Sequence, residues 1–80
     1  MTYTDAKKRI LAYLKLQGWT VVEGLKISHA THPDGIRLWF STQSVYIGRS
    51  KIFGEARSLF VDIRKENFED IVSLATHWKF

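Results

Sequence analysis

The chain has no cysteine, one proline and one methionine. No apolar run approaches the ~20 residues that a membrane-spanning helix needs. Without cysteine there are no disulfides, no cysteine nucleophiles and no Cys-based zinc sites, which fits a reducing compartment. Near the start, Lys7-Lys8-Arg9 is followed by Ile10-Leu11-Ala12-Tyr13-Leu14, which Lys15 interrupts; that is too short for a secretory leader. A cytoplasmic protein that avoids membranes is the expectation. Glycines are few, and those at 18, 24, 35, 48 and 54 form neither a phosphate loop nor a dinucleotide fingerprint. None of the serines at 28, 41, 44, 50, 58 and 73 sits in a Gly-x-Ser-x-Gly elbow. Repeats, low-complexity runs and linkers are also missing.

Apolar residues make up 45% of the 80 positions and aromatics 14%, enough for one packed domain over residues 1–80. The net charge is +4 and is unevenly placed. Residues 1–65 hold eleven Lys/Arg against five Asp/Glu, whereas residues 66–80 hold Lys79 against Glu66, Glu69 and Asp70. A basic body of this kind suits a polyanionic partner.

Ala6, Ile10, Leu11, Tyr13 and Leu14 recur at helical spacing behind Thr4 and Asp5, and Gly18 can end that helix, so the spacing predicts a helix over 4–17. A short β-prone run follows at 19–23 and is interrupted by Gly24. Alternation then predicts strands over 25–31, 36–42, 44–49 and 58–64, with His32-Pro33-Asp34-Gly35 as the clearest turn. Residues 50–57 read as a mobile loop with Phe53 either tucked back or available to a partner. Phe68, Ile71, Val72, Ala75 and Trp78 mark a second amphipathic helix, with Asn67 and Asp70 as a capping pair. Trp78 and Phe80 are expected to pin that helix to the core. The predicted fold is an α+β two-layer sandwich of order α-β-β-β-β-α. Its antiparallel meander has four strands, or five if 19–23 pairs separately, and both helices lie on one face.

Period-two alternation gives the sheet two unlike faces. One parity is aliphatic: Leu25, Ile27, Ile36, Leu38, Phe40, Val45, Ile47, Leu59, Val61 and Ile63. The other, holding Lys26, Ser28, Arg37, Trp39, Tyr46, Phe60, Asp62 and Arg64, mixes three aromatics with cations. With the helices on the first face, the second is left uncovered. Exposed aromatics stack on unpaired bases while neighbouring cations hold the phosphates. The expected contacts are therefore Trp39, Tyr46 and Phe60 for stacking, with Lys26, Arg37, Arg49, Lys51, Arg57 and Arg64 for charge. RNA-recognition sheets use this logic, but the chain lacks their Gly-aromatic signature and their helix order. The competing readings are a protein-interaction or regulatory module that pairs through the same face or the 50–57 loop, as a monomer or weak homodimer, and a plain surface of cross-strand aromatic pairs.

Catalytic patterns are thin. His29, His32 and Asp34 are close in sequence, but His29 and His32 differ in parity and His77 is distant, so no metal or other cofactor is expected. Pro33-Asp34 followed by Asp62-Ile63-Arg64 or Glu55-Ala56-Arg57 is part of a metal-dependent nuclease pattern, yet the lysine of that pattern is missing from both. The chain reads as a binding module and not as an enzyme.

Overall fold

A computed structural model of the chain describes residues 1–49 and 51–79; the expectations for Ser50 and Phe80 lie outside the described residues. Helix α1 spans Tyr3–Leu16, strands β1 to β5 span Thr20–Val22, Ser28–Thr31, Arg37–Phe40, Val45–Gly48 and Arg57–Leu59, and helix α2 spans Phe68–Thr76. Two 3-10 turns, Phe53–Glu55 and Ile63–Lys65, flank β5. The strands form one antiparallel sheet in the order β1-β2-β3-β4-β5. The run at 19–23 thus supplies a fifth strand to the predicted meander.

Helix α1 starts at Tyr3, one residue before Thr4. Thr2 is the N-cap: its hydroxyl accepts from the Asp5 backbone N–H at 3.2 Å and donates to the Asp5 carboxylate at 2.9 Å. The Thr2 hydroxyl thus satisfies one free N–H of the first turn, and the aspartate also meets the positive end of the helix dipole. At the other end the Trp19 N–H reaches the Leu14 carbonyl and the Gly18 N–H reaches that of Lys15. These are the two bonds of a Schellman motif, which needs a left-handed residue at Gly18, and φ there is +90°. Helix α2 begins at Asn67, but the Asn67 side chain makes no capping bond, so the predicted pair with Asp70 does not form.

The helix stripes and one sheet face make a single core. Ala6, Ile10, Leu11 and Leu14 of α1 and Ile71 and Ala75 of α2 cluster with Ala30, Leu38, Phe40, Val45, Ile47 and Leu59. Both helices therefore lie on the same side of the sheet. Tyr13 meets Phe68 at 5.8 Å between ring centroids, and the Arg9 guanidinium reaches Glu66 at 2.8 Å, tying α1 to the C-terminal segment. Trp78 is half-buried against this core, as expected.

Two predicted strands are shorter than their alternation suggests. Residues 24–27 form a turn, held where the Gly24 N–H donates to the Ser28 hydroxyl at 3.2 Å, and β2 begins only at Ser28. Leu25 and Ile27 are exposed, not core, and Ser28 and Ala30 point inward in their place. The hairpin loop explains the change. His32 and Ile36 close a three-residue loop through the His32 N–H and the Ile36 carbonyl, which sets Ala30 opposite Leu38. The 58–64 strand ends at Leu59. The Val61 N–H turns back to the Leu59 carbonyl, and Asp62 caps the second 3-10 turn by accepting from the Arg64 N–H at 3.1 Å. Ile63 still reaches the core, but through that turn.

Tyr3 fastens α1 to β4. Its hydroxyl donates to the Ser44 carbonyl at 2.9 Å, and burial, aided by nearby Tyr46, pushes its pKa up to about 12. Folding thus favours the neutral phenol. Its contribution is complete below pH 10 and is lost as pH rises toward 12. Tyr3→Phe should cost about 1 kcal/mol at pH 8 and flatten the loss of stability above pH 10. Urea midpoints at pH 8, 10 and 11 test this; equal pH slopes in both proteins contradict it. Gly18→Ala should cost about 1–2 kcal/mol by forcing a Cβ into the left-handed conformation; an unchanged melting curve would show that the Schellman turn is not strained by a side chain.

Candidate nucleic-acid interface

The face away from the helices is set by strand register. One row across the sheet runs Val22, His29, Trp39, Tyr46 and Ser58; the next runs Thr20, Thr31, Arg37 and Gly48. Residues directly opposite one another share a face, so these side chains are neighbours. The register brings Arg37, Trp39 and Tyr46 together as the sequence suggested.

This face is not uncovered. Trp39 is only 3% exposed. Three features bury it. Gly48 leaves room for the indole: a Cβ on Gly48 would lie 3.1 Å from Trp39 Cζ3 and 3.6 Å from the Ala56 Cα. The Arg37 guanidinium lies 5.7 Å from the indole centroid, steadied where Arg37 Nε donates to the Thr31 hydroxyl at 2.8 Å. Phe53 then closes the cluster, with its ring edge-on to Trp39 at 5.7 Å and to Tyr46 at 5.1 Å. Of the two positions open to Phe53, the tucked-back one is realised, although 38% of the residue stays exposed. The half-buried ring contributes about 1–2 kcal/mol, and each aromatic pair adds about 0.5–1.5 kcal/mol, before the ordering of the loop is subtracted. The cover is therefore modest.

The strands carry charge of one sign, whereas Glu55 lies in the 3-10 turn that bears Phe53. No strand of the sheet carries an acidic residue; its charged members are Arg37 and Arg57. Among the described residues, Arg37, Lys51 and Arg57 have no ion pair with a carboxylate. Arg49 leans toward the β2–β3 turn, where its Nη1 donates to the Asp34 carbonyl at 3.4 Å. His29, beside Trp39, has a buried Nδ1 without a hydrogen-bond partner. Burial, and secondarily the Arg37 cation, hold its pKa below the ordinary histidine value, which favours the uncharged ring.

The other expected contacts are scattered. Lys26 sits in the 24–27 turn and not on a strand. Arg57 faces Ile47 across β4 and β5, so its register is that of the helix side. Phe60 is 96% exposed but lies beyond the last β4–β5 pair. Arg64 belongs to the second 3-10 turn, where it grips Asp62 at 2.9 and 3.2 Å and holds that carboxyl below the usual range. The 58–64 strand ended too early to keep Phe60 and Arg64 on the sheet. Lys51 lies in the exposed loop just before Phe53. The sequence reading missed His29 and Gly48; the loop length at 33–35 would have placed the first opposite Trp39.

The histidines do not converge. His32 Nδ1 accepts from the Asp34 N–H at 3.1 Å, and His77 Nδ1 donates to the Ser73 carbonyl at 2.8 Å. No group of three or more His, Asp or Glu residues is placed to hold a metal among the described residues. No helix among them is long and apolar enough to cross a membrane. A scan against models of protein families, a search of curated proteins and a search of solved structures each returned no match to this chain.

Gly48→Val places methyl groups where the indole lies. It should lift Trp39 and the loop, cost about 1–3 kcal/mol, and increase quenching of tryptophan fluorescence by acrylamide. Unchanged quenching would mean that Trp39 does not depend on that gap.

Proposed function

We propose that the protein is a small binding module for single-stranded nucleic acid, and that strands lie across the outer sheet face and the 51–56 segment. The observation that carries this reading is the absence of any acid from the strands, where Arg37 has no carboxylate partner among the described residues and lies against the aromatic cluster of Trp39, Tyr46 and Phe53, with Lys51 two residues before Phe53 in the chain. Phosphates would be neutralised by Arg37, Arg49 and Lys51, while the aromatic floor of Trp39 and Tyr46, on which Phe53 now rests, offers apolar surface to the bases. Each stacked base is worth about 1–3 kcal/mol. Arg57, Lys26, Phe60 and Arg64 drop out of the inner contact set because of where they sit. Nothing in the reading assigns bond-making chemistry to the chain, and a cytoplasmic setting is part of the proposal.

A second reading rests on a different observation. Phe60 is nearly fully exposed at the β5 edge, and Ile52 is exposed beside Phe53. Such residues suit a protein interface or self-association.

Fluorescence anisotropy of a labelled ten-nucleotide oligothymidylate tests the first reading. Three phosphate contacts at a slope of about −0.7 each imply roughly 20-fold weaker binding at 200 mM than at 50 mM salt. Lys51→Gln should weaken binding and shallow that slope. Absence of binding at 50 mM salt, or a slope unaffected by Lys51→Gln, rejects it. A dimer in light scattering that Phe60→Arg converts to monomer would favour the second reading.

A further inference from the structure

The Phe53 ring reaches the outer face from outside the sheet. It reaches Trp39 and Tyr46 from a short 3-10 turn with no buried residue and no side-chain cap. The turn is closed from within by bonds from the Glu55 N–H to the Ile52 carbonyl and from the Ala56 N–H to the Phe53 carbonyl, and both can travel with it. By contrast, the floor beneath Phe53 is rigid. Trp39 and Tyr46 are direct ladder partners in the middle of the sheet, and Gly48 gives the indole a fixed seat.

We propose that Phe53 is an internal stand-in for a base. It occupies, on Trp39 and Tyr46, the position that an unpaired base takes when the 51–56 segment swings out. The inference rests on the nucleic-acid reading and deepens it by naming the regulation of that same site. A flat aromatic ring already fills the place, so the surface fits a flat aromatic ligand of similar size. Arg37, set against the indole, favours a base carrying phosphate over a neutral ring. Exchange is feasible because Phe53 holds on through a part of its ring only, and a stacked base makes contacts of the same kind. The closed form competes with ligand, so apparent affinity is reduced by the fraction of molecules that are open.

The experiment is anisotropy titration of the ten-nucleotide oligothymidylate with wild-type protein, Phe53→Ala, and Phe53→Ala combined with Trp39→Leu, after circular dichroism has shown each to be folded. Phe53→Ala should bind about 5- to 10-fold tighter, as expected when a competing closed state is removed, and the added Trp39→Leu should abolish the gain. In the wild-type protein, proton NMR should show the Phe53–Tyr46 ring contact disappearing at saturation; this second readout needs no variant. If wild type binds but Phe53→Ala binds more weakly, Phe53 is a direct contact: the exchange idea is overturned and the nucleic-acid reading stands. Persistence of the ring contact in the saturated complex overturns the exchange in the same way. If neither wild type nor Phe53→Ala binds, the nucleic-acid reading itself fails.

Discussion

Two helices can cover only one face of a five-stranded sheet, and this limit shapes the rest of the molecule. The chain spends its two amphipathic stripes, Ala6 to Leu14 and Ile71 to Ala75, on the aliphatic face. That union supplies most of the apolar burial that holds so short a chain together. The other face must then be managed without a layer. It is managed locally, with Trp39 laid over Gly48, Arg37 set against the indole, and Phe53 folded back across the pair.

The two faces differ in kind as well as in cover. The helix side is closed by buried apolar groups from both helices, strands β2 to β5 and the second 3-10 turn, and no single contact there can leave without a cavity. The outer side is closed by one aromatic residue on a short turn whose members are otherwise exposed. Less of its cover is buried than on the helix side, which is why the proposed exchange is placed there. Its charge points the same way, because the acids are confined to helices, turns and loop segments while the sheet keeps its cations.

Much of the architecture was legible in the sequence because it depends on local rules. The 3.6-residue stripes, Gly18 after α1 and the turn at 33–35 each fix an element by short-range sterics and hydrogen bonding. Misreadings came where a local pattern met a non-local constraint. Leu25 and Ile27 alternate like core residues, but the hairpin register hands the inward positions to Ser28 and Ala30. Phe60 and Arg64 continue the alternation of β5, but the chain leaves the sheet at Leu59 to seat Ile63 under α1. At the candidate site, parity grouped Arg37, Trp39 and Tyr46 correctly, since cross-strand neighbours follow from pairing. It gave no sign that the group was covered.

By itself the sequence determined the fold class, the element order and the aliphatic floor for both helices. All of these follow from periodicity and composition. Only the tertiary structure decided which aromatic is exposed and which is buried. That outcome turns on Phe53 reaching Trp39 across a loop, and on a glycine at 48 that leaves space for the indole. Contacts between residues far apart in the chain have no period to read; they exist only once the backbone has brought both partners to one place.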